Sequence, residues 1–239
     1  MTTQWNGFKR IDFTFKGRNA IIVFPNKPNP ERNWLLKTEY FNAFPNLEIE
    51  MIKRGWHLAY IENQHRWCRD EDLFLKKEFI DFLINEYKLC KKTVPVGMSC
   101  GGMFAVKYAA LFPETVSCLY LDAPVMNLLS CPADLGKAHG GMYDEFTAAT
   151  GMSMSELICY REHPMDKLKE LGDHKIPVIM VYGKEDDTVP YAENGEILEK
   201  YYRKHNLPLK TIGKEHCGHH PHGLDNPTEI ADFIEKFSN

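Results

Sequence analysis

Three stretches of this chain carry residues that suit acyl transfer, in a telling order. Gly97-Met98-Ser99-Cys100-Gly101 sets a serine between glycines. Gly183-Lys184-Glu185-Asp186-Asp187-Thr188-Val189-Pro190 offers an acid in a turn, and Glu215-His216-Cys217-Gly218-His219-His220-Pro221-His222 offers histidines. A serine hydroxyl is a weak nucleophile at neutral pH; it needs a base within hydrogen-bond reach, and the base needs a group that fixes its tautomer. Ser99, His219 and Asp186 are the candidates for nucleophile, base and orienting acid. Simpler roles compete. Ser99 could cap a helix, Asp187 suits a turn, and Asp122, at the end of the apolar run 116–121, is a rival for the acid. The Cys100 thiol stands one residue past the serine and is read as packing, with its backbone N–H as an oxyanion donor.

The histidine stretch also contains zinc-type donors: His216, His219, His220, His222 and Cys217. Adjacent His219 and His220 tend to point apart, so the reading adopted is one base with neighbouring rings. No metal and no cofactor are expected.

The surrounding elements must hold these groups. Residues 93–98 read as a short buried strand and 101–112 as a helix stopped by Pro113, which makes Ser99 the middle of a strand–turn–helix. Runs at 11–15, 20–24, 56–61, 116–121, 177–182 and 207–212 read as further strands. Helical periodicity marks 34–44, 47–54, 70–89, 193–205 and 228–237. Strands interleaved with helices predict an α/β fold, a mostly parallel sheet covered on both faces. Residues 1–239 read as one domain. Between 125 and 175 the alternation stops, which predicts a small helical cap or lid.

With these motifs in place, the chain resembles the α/β-hydrolase superfamily. Gly97–Gly101, Gly183–Pro190 and Gly218–Pro221 match its nucleophile, acid and histidine motifs in order, across residues 20–237. The resemblance implies a Ser99–His219–Asp186 triad and an oxyanion site built from backbone N–H groups of Cys100 and of Asn26 or Lys27. Those last two stand where many members carry His-Gly.

Trp34, Arg66 and Trp67 fall in loops after strands and are read as substrate-binding candidates. The expectation is hydrolysis of a small-molecule ester of short acyl length, with an acylated sugar as one alcohol class. A peptidase or acyltransferase on the same triad is the alternative, and a binding protein without catalysis is the reading from another class. A net charge of −4 with spread charges excludes a polyanion-binding arm, so no nucleic acid is expected as partner. No apolar run is long enough to span a bilayer, so no membrane partner is expected. Seven scattered cysteines without a C-x-x-C pair, and an N-terminus without an apolar segment, predict reduced thiols and a cytoplasmic setting.

Overall fold

The computed structural model describes residues 2–238. Its centre is a nine-stranded sheet. The first strands, β1 (Thr2–Trp5), β2 (Phe8–Phe15) and β3 (Arg18–Phe24), form an antiparallel meander. The others are β4 (Trp34–Lys37), β5 (His57–Ile61), β6 (Val94–Met98), β7 (Leu119–Asp122), β8 (Val178–Gly183) and β9 (Leu209–Lys214). Across the sheet the order is β1-β2-β3-β5-β4-β6-β7-β8-β9. β3 meets β5 antiparallel, and every pairing from β5 to β9 is parallel. The inner parallel strands are nearly continuous apolar runs, as burial on both faces requires, while the edge strand β9 is half-buried along its length.

Helices cover both faces. On one side α2 (Asp70–Tyr87), α3 (Gly101–Leu111), α6 (Leu168–Asp173) and α7 (Gly195–Lys204) bury Leu73, Phe79, Phe104, Leu171 and Tyr202. On the other, α1 (Asn46–Lys53) and α8 (Thr228–Ser238) bury Met51, Ile52, Ile230 and Ile234. Among the described residues, 123–177 contains no strand; α4 (Tyr143–Thr150) and α5 (Met154–Cys159) lie within it, before α6. No helix among the described residues is long and apolar enough to cross a membrane.

Two readings change. Residues 34–37 form β4, not the start of a helix. All four are buried, with the Lys37 ammonium paired to the buried carboxylate of Glu48. A lysine in a four-residue stretch hides a central strand, because its partner lies eleven residues away. β1 was also absent from the sequence reading; it is largely exposed and shows no apolar alternation.

The chain leaves β4 for β5 on one side and returns to β6 on the other. The sheet therefore has its switch point between β4 and β6, where ligands of open α/β sheets sit at the C-terminal strand ends. Ser99 follows β6 at that point, and Tyr40 follows β4.

Candidate active site

The turn after β6 explains its own glycines. Ser99 has φ of +51°, a left-handed conformation that costs a non-glycine residue about 1–2 kcal/mol. Its surroundings hold it there: the Ser99 N–H donates to the Asp122 carbonyl at 2.9 Å, and the Ser99 carbonyl accepts from Gly102 and Val125 N–H at 2.9 and 3.0 Å. A Cβ on Gly97 would lie 2.8 Å from both Ala105 Cβ and Gly102 Cα, so only glycine lets β6 and α3 approach this closely.

The structure brings Ser99, His219 and Asp186 into one line. Ser99 Oγ is 2.9 Å from His219 Nε2, and His219 Nδ1 is 2.8 Å from Asp186 Oδ2. The other carboxylate oxygen, Oδ1, accepts the Thr188 and Val189 N–H groups at 3.0 and 2.8 Å. All three residues are at most slightly exposed. The two loops that carry the acid and the histidine are locked together. The Glu185 N–H donates to the Cys217 carbonyl at 2.9 Å, and a Cβ on Gly183 would fall 2.1 Å from the Gly218 carbonyl oxygen.

The rival acid, Asp122, takes a different histidine. Its Oδ1 accepts from His222 Nδ1 at 2.6 Å; its Oδ2 accepts from Gly223 N–H at 2.6 Å and from the Tyr120 hydroxyl at 2.8 Å. His216 is exposed and paired with Glu185, and Cys217 faces the carbonyls of Gly218, His220 and Pro221.

A cavity of about 280 Å³ opens over Ser99 and His219, walled by Tyr40, Phe44, Arg66, Met142 and Thr188 among others. The Arg66 guanidinium forks onto the Glu145 carboxylate of α4, with Nε–Oε1 at 2.7 Å. That partner, with the Tyr40 hydroxyl, raises the Arg66 pKa above its ordinary value against burial, the largest single influence. Burial, by contrast, lifts the Tyr40 phenol, whose oxygen meets Arg66 and the Cys100 thiol. Burial also pushes the Cys100 thiol up to about 11, so the sulfur beside Ser99 is a neutral thiol at physiological pH. Cys100 stands at the N-terminal end of α3, where N–H groups and the dipole favour negative charge.

Several sequence candidates lie elsewhere. Asn26 and Lys27 are not near Ser99. β3 runs antiparallel to β5, so its C-terminal loop lands at the opposite end of the sheet, against Gly55. The loop after β4 does reach the cavity, through Tyr40, Ala43 and Phe44; it was overlooked because β4 was read as helix. Trp34 is wholly buried at the start of β4, its indole N–H donating to the Cys90 carbonyl, at the sheet end away from the cavity. Trp67 is buried edge-on against Phe146 and donates to Glu145 Oε1 at 3.1 Å; it supports the Arg66 loop and does not line the cavity. Of the three binding candidates, only Arg66 reaches it.

No family model matches this sequence, and no curated protein does. Solved structures do match. An acylaminoacyl peptidase from Pyrococcus horikoshii aligns with 97% of this chain and 41% of its own, at a TM-score of 0.71 and 13% identity. A puromycin hydrolase aligns with 95% of this chain and 38% of its own, at 0.70 and 16%. A puromycin-hydrolyzing peptidase from Mycobacterium tuberculosis aligns with 91% and 36%, at 0.69 and 13%. The chain thus spans about two fifths of the length of these neighbours or slightly less. At such identities the likeness is one of fold. Strand order, the turn at Ser99 and these superpositions together show that this chain has the α/β-hydrolase fold.

Proposed function

We propose that this chain is a serine hydrolase that cleaves small peptide-type amides through an acyl-Ser99 intermediate. The observation that carries the reading is the hydrogen-bonded line from Ser99 Oγ through His219 to Asp186 at the floor of a cavity. In this mechanism His219 Nε2 takes the Ser99 proton as Oγ attacks the carbonyl carbon. It then delivers that proton to the leaving nitrogen as the C–N bond breaks. Asp186, held by two backbone N–H groups, keeps Nδ1–H in place and stabilises the imidazolium. A water then attacks the acyl-enzyme, with His219 again as base. The Cys100 N–H supplies one oxyanion donor. The second donor is assigned to the Tyr40 N–H, in place of Asn26 or Lys27; that N–H makes a long 3.3 Å bond to Glu39 Oε1, which an oxyanion would have to replace.

The amide preference rests on the neighbours of this fold, which are named as peptidases and puromycin hydrolases. The chain covers a minority of their length, so their substrates come to it as a proposal. Arg66, neutralised by Glu145, lines the cavity as a hydrogen-bond donor and does not demand an anionic substrate. In this reading the strandless stretch 125–175 serves as the cap, its helices α4, α5 and α6 anchored to the core by Phe146, Leu157, Leu168 and Leu171.

Hydrolysis of a short-acyl ester is the second reading. The small cavity, below the size usual for drug-sized ligands, favours it over long chains. A panel of aminoacyl and N-acylaminoacyl anilides, beside nitrophenyl esters from acetyl to dodecanoyl, separates the two. Anilide turnover abolished in Ser99→Ala is the expected result. Turnover of short esters with none of any anilide would replace the peptidase reading by the esterase one.

A further inference from the structure

Three imidazoles meet beside Ser99, and only one of them is used in the mechanism above. The rings of His219, His220 and His222 are mutually close, with centroids 4.8, 4.8 and 4.9 Å apart and all three pairs edge to face. One ring nitrogen from each lies within 4.8 Å of the others.

Two of these rings are already backed as zinc ligands usually are. A metal-bound imidazole donates its other N–H to a carboxylate or carbonyl, which fixes ring orientation and raises ligand basicity. His219 Nδ1 faces Asp186 and His222 Nδ1 faces Asp122, so both rings are left with Nε2 toward other groups. His220 is exposed and stacks on Phe44, with ring centroids 5.5 Å apart.

We propose that His219, His220 and His222 form an inhibitory site for zinc, in which the ion takes His219 Nε2 away from Ser99. Nitrogens on one tetrahedral zinc lie about 3.4 Å apart, from Zn–N bonds of about 2.0–2.1 Å. The cluster therefore has to contract by up to about 1.4 Å in its longest pair, which requires rotation of the exposed His220 ring and a shift of the loop that carries all three histidines. The fourth position remains open to water. Ser99 keeps its proton and loses its base, so the resting enzyme is metal-free and zinc switches it off. The metal-binding claim stands on the cluster alone; inhibition rests in addition on the serine-hydrolase reading.

Calorimetric titration of the metal-free full chain with zinc chloride tests the binding without any substrate. One zinc per chain with micromolar or tighter affinity is expected, weakened about tenfold or more in His220→Ala. It should be retained in Ser99→Ala, which leaves Nε2 uncontested, and unchanged in His216→Ala, which lies outside the cluster. His220 is exposed, so its replacement leaves the fold intact, and circular dichroism verifies that. Turnover should fall with zinc in parallel with occupancy and return on chelation. No binding up to 100 µM, or binding equally tight in His220→Ala, would overturn the site. Binding as expected with no loss of turnover would overturn the inhibition while leaving the serine-hydrolase reading untouched.

Discussion

The Asp122 carboxylate accepts a 2.6 Å hydrogen bond from His222, three residues beyond the histidine that faces Ser99. Two Asp–His pairs thus lie side by side, and only the Asp186 pair reaches the serine hydroxyl. The two acids should fail differently. Asp186→Asn should lower kcat per folded molecule by up to about 10⁴-fold, through the wrong imidazole tautomer, on top of a stability loss of about 1–3 kcal/mol, since this carboxylate too is buried and accepts three donors. Asp122 is buried and accepts three donors, so Asp122→Asn should cost about 1–3 kcal/mol of stability. Its kcat per folded molecule should fall far less. Denaturant unfolding and turnover on the same preparations check both; a crippled but fully stable Asp122→Asn would move the acid to β7.

Cys100 should be inert despite its position. Its thiol is buried and pushed up to about 11, whereas Cys159 is exposed. Iodoacetamide at pH 8 should label Cys159 and leave Cys100 unmodified in the folded chain, with activity retained. Peptide mapping by mass spectrometry reads the sites. Inactivation that tracks modification of Cys100 would make the thiol, not Ser99, the reactive group.

Gly102→Ala pits helix propensity against space. Alanine in place of glycine favours a helix interior by about 0.8–1 kcal/mol, an upper bound for Gly102 in the first turn of α3. Here the new Cβ would sit 2.4 Å from Pro124 Cβ and 2.8 Å from Pro124 Cα, a contact the rigid ring cannot relieve. Overlap should win, with a net loss of about 1–3 kcal/mol in urea unfolding. A variant as stable as the parent would show that the loop after β7 yields.

Acid sensitivity should have an identifiable share from His57. Burial, helped by Arg32, pushes this wholly buried ring down to about 4. Between the ordinary value near 6.5 and that value, the unfolded chain binds a proton that the folded chain refuses. The contribution is therefore fully present above about pH 6.5 and is lost as pH falls toward 4, by about 3 kcal/mol at most. Unfolding free energies from pH 7.5 to 4.5 should fall less steeply in His57→Leu than in the parent. Parallel profiles would place the acid sensitivity elsewhere.

Most of the sheet was legible because parallel strands buried on both faces are bare apolar runs, such as 178–182 and 119–121. The serine turn was legible because Gly97 and Gly101 are demanded by close backbone approach. β4 was not, since Lys37 reads as polar until Glu48 is known to meet it in the core. That single error displaced the second oxyanion donor to Asn26 and Lys27 and concealed Tyr40. Trp34 and Trp67 showed the limit of residue type as a guide. An indole beside charged residues suits a sugar or a core equally, and only the partners at Cys90, Glu145 and Phe146 decide. The pairing of His222 with Asp122 spans 100 residues and leaves no local pattern.

The central claim, that Ser99 is a nucleophile activated by His219, is tested most directly by intact-mass spectrometry after treatment with a fluorophosphonate. The account predicts one covalent adduct per chain, mapped to Ser99, formed rapidly by the parent. It should be absent in Ser99→Ala and orders of magnitude slower in His219→Ala. An unmodified folded parent, or the same adduct on Ser99→Ala, would contradict it.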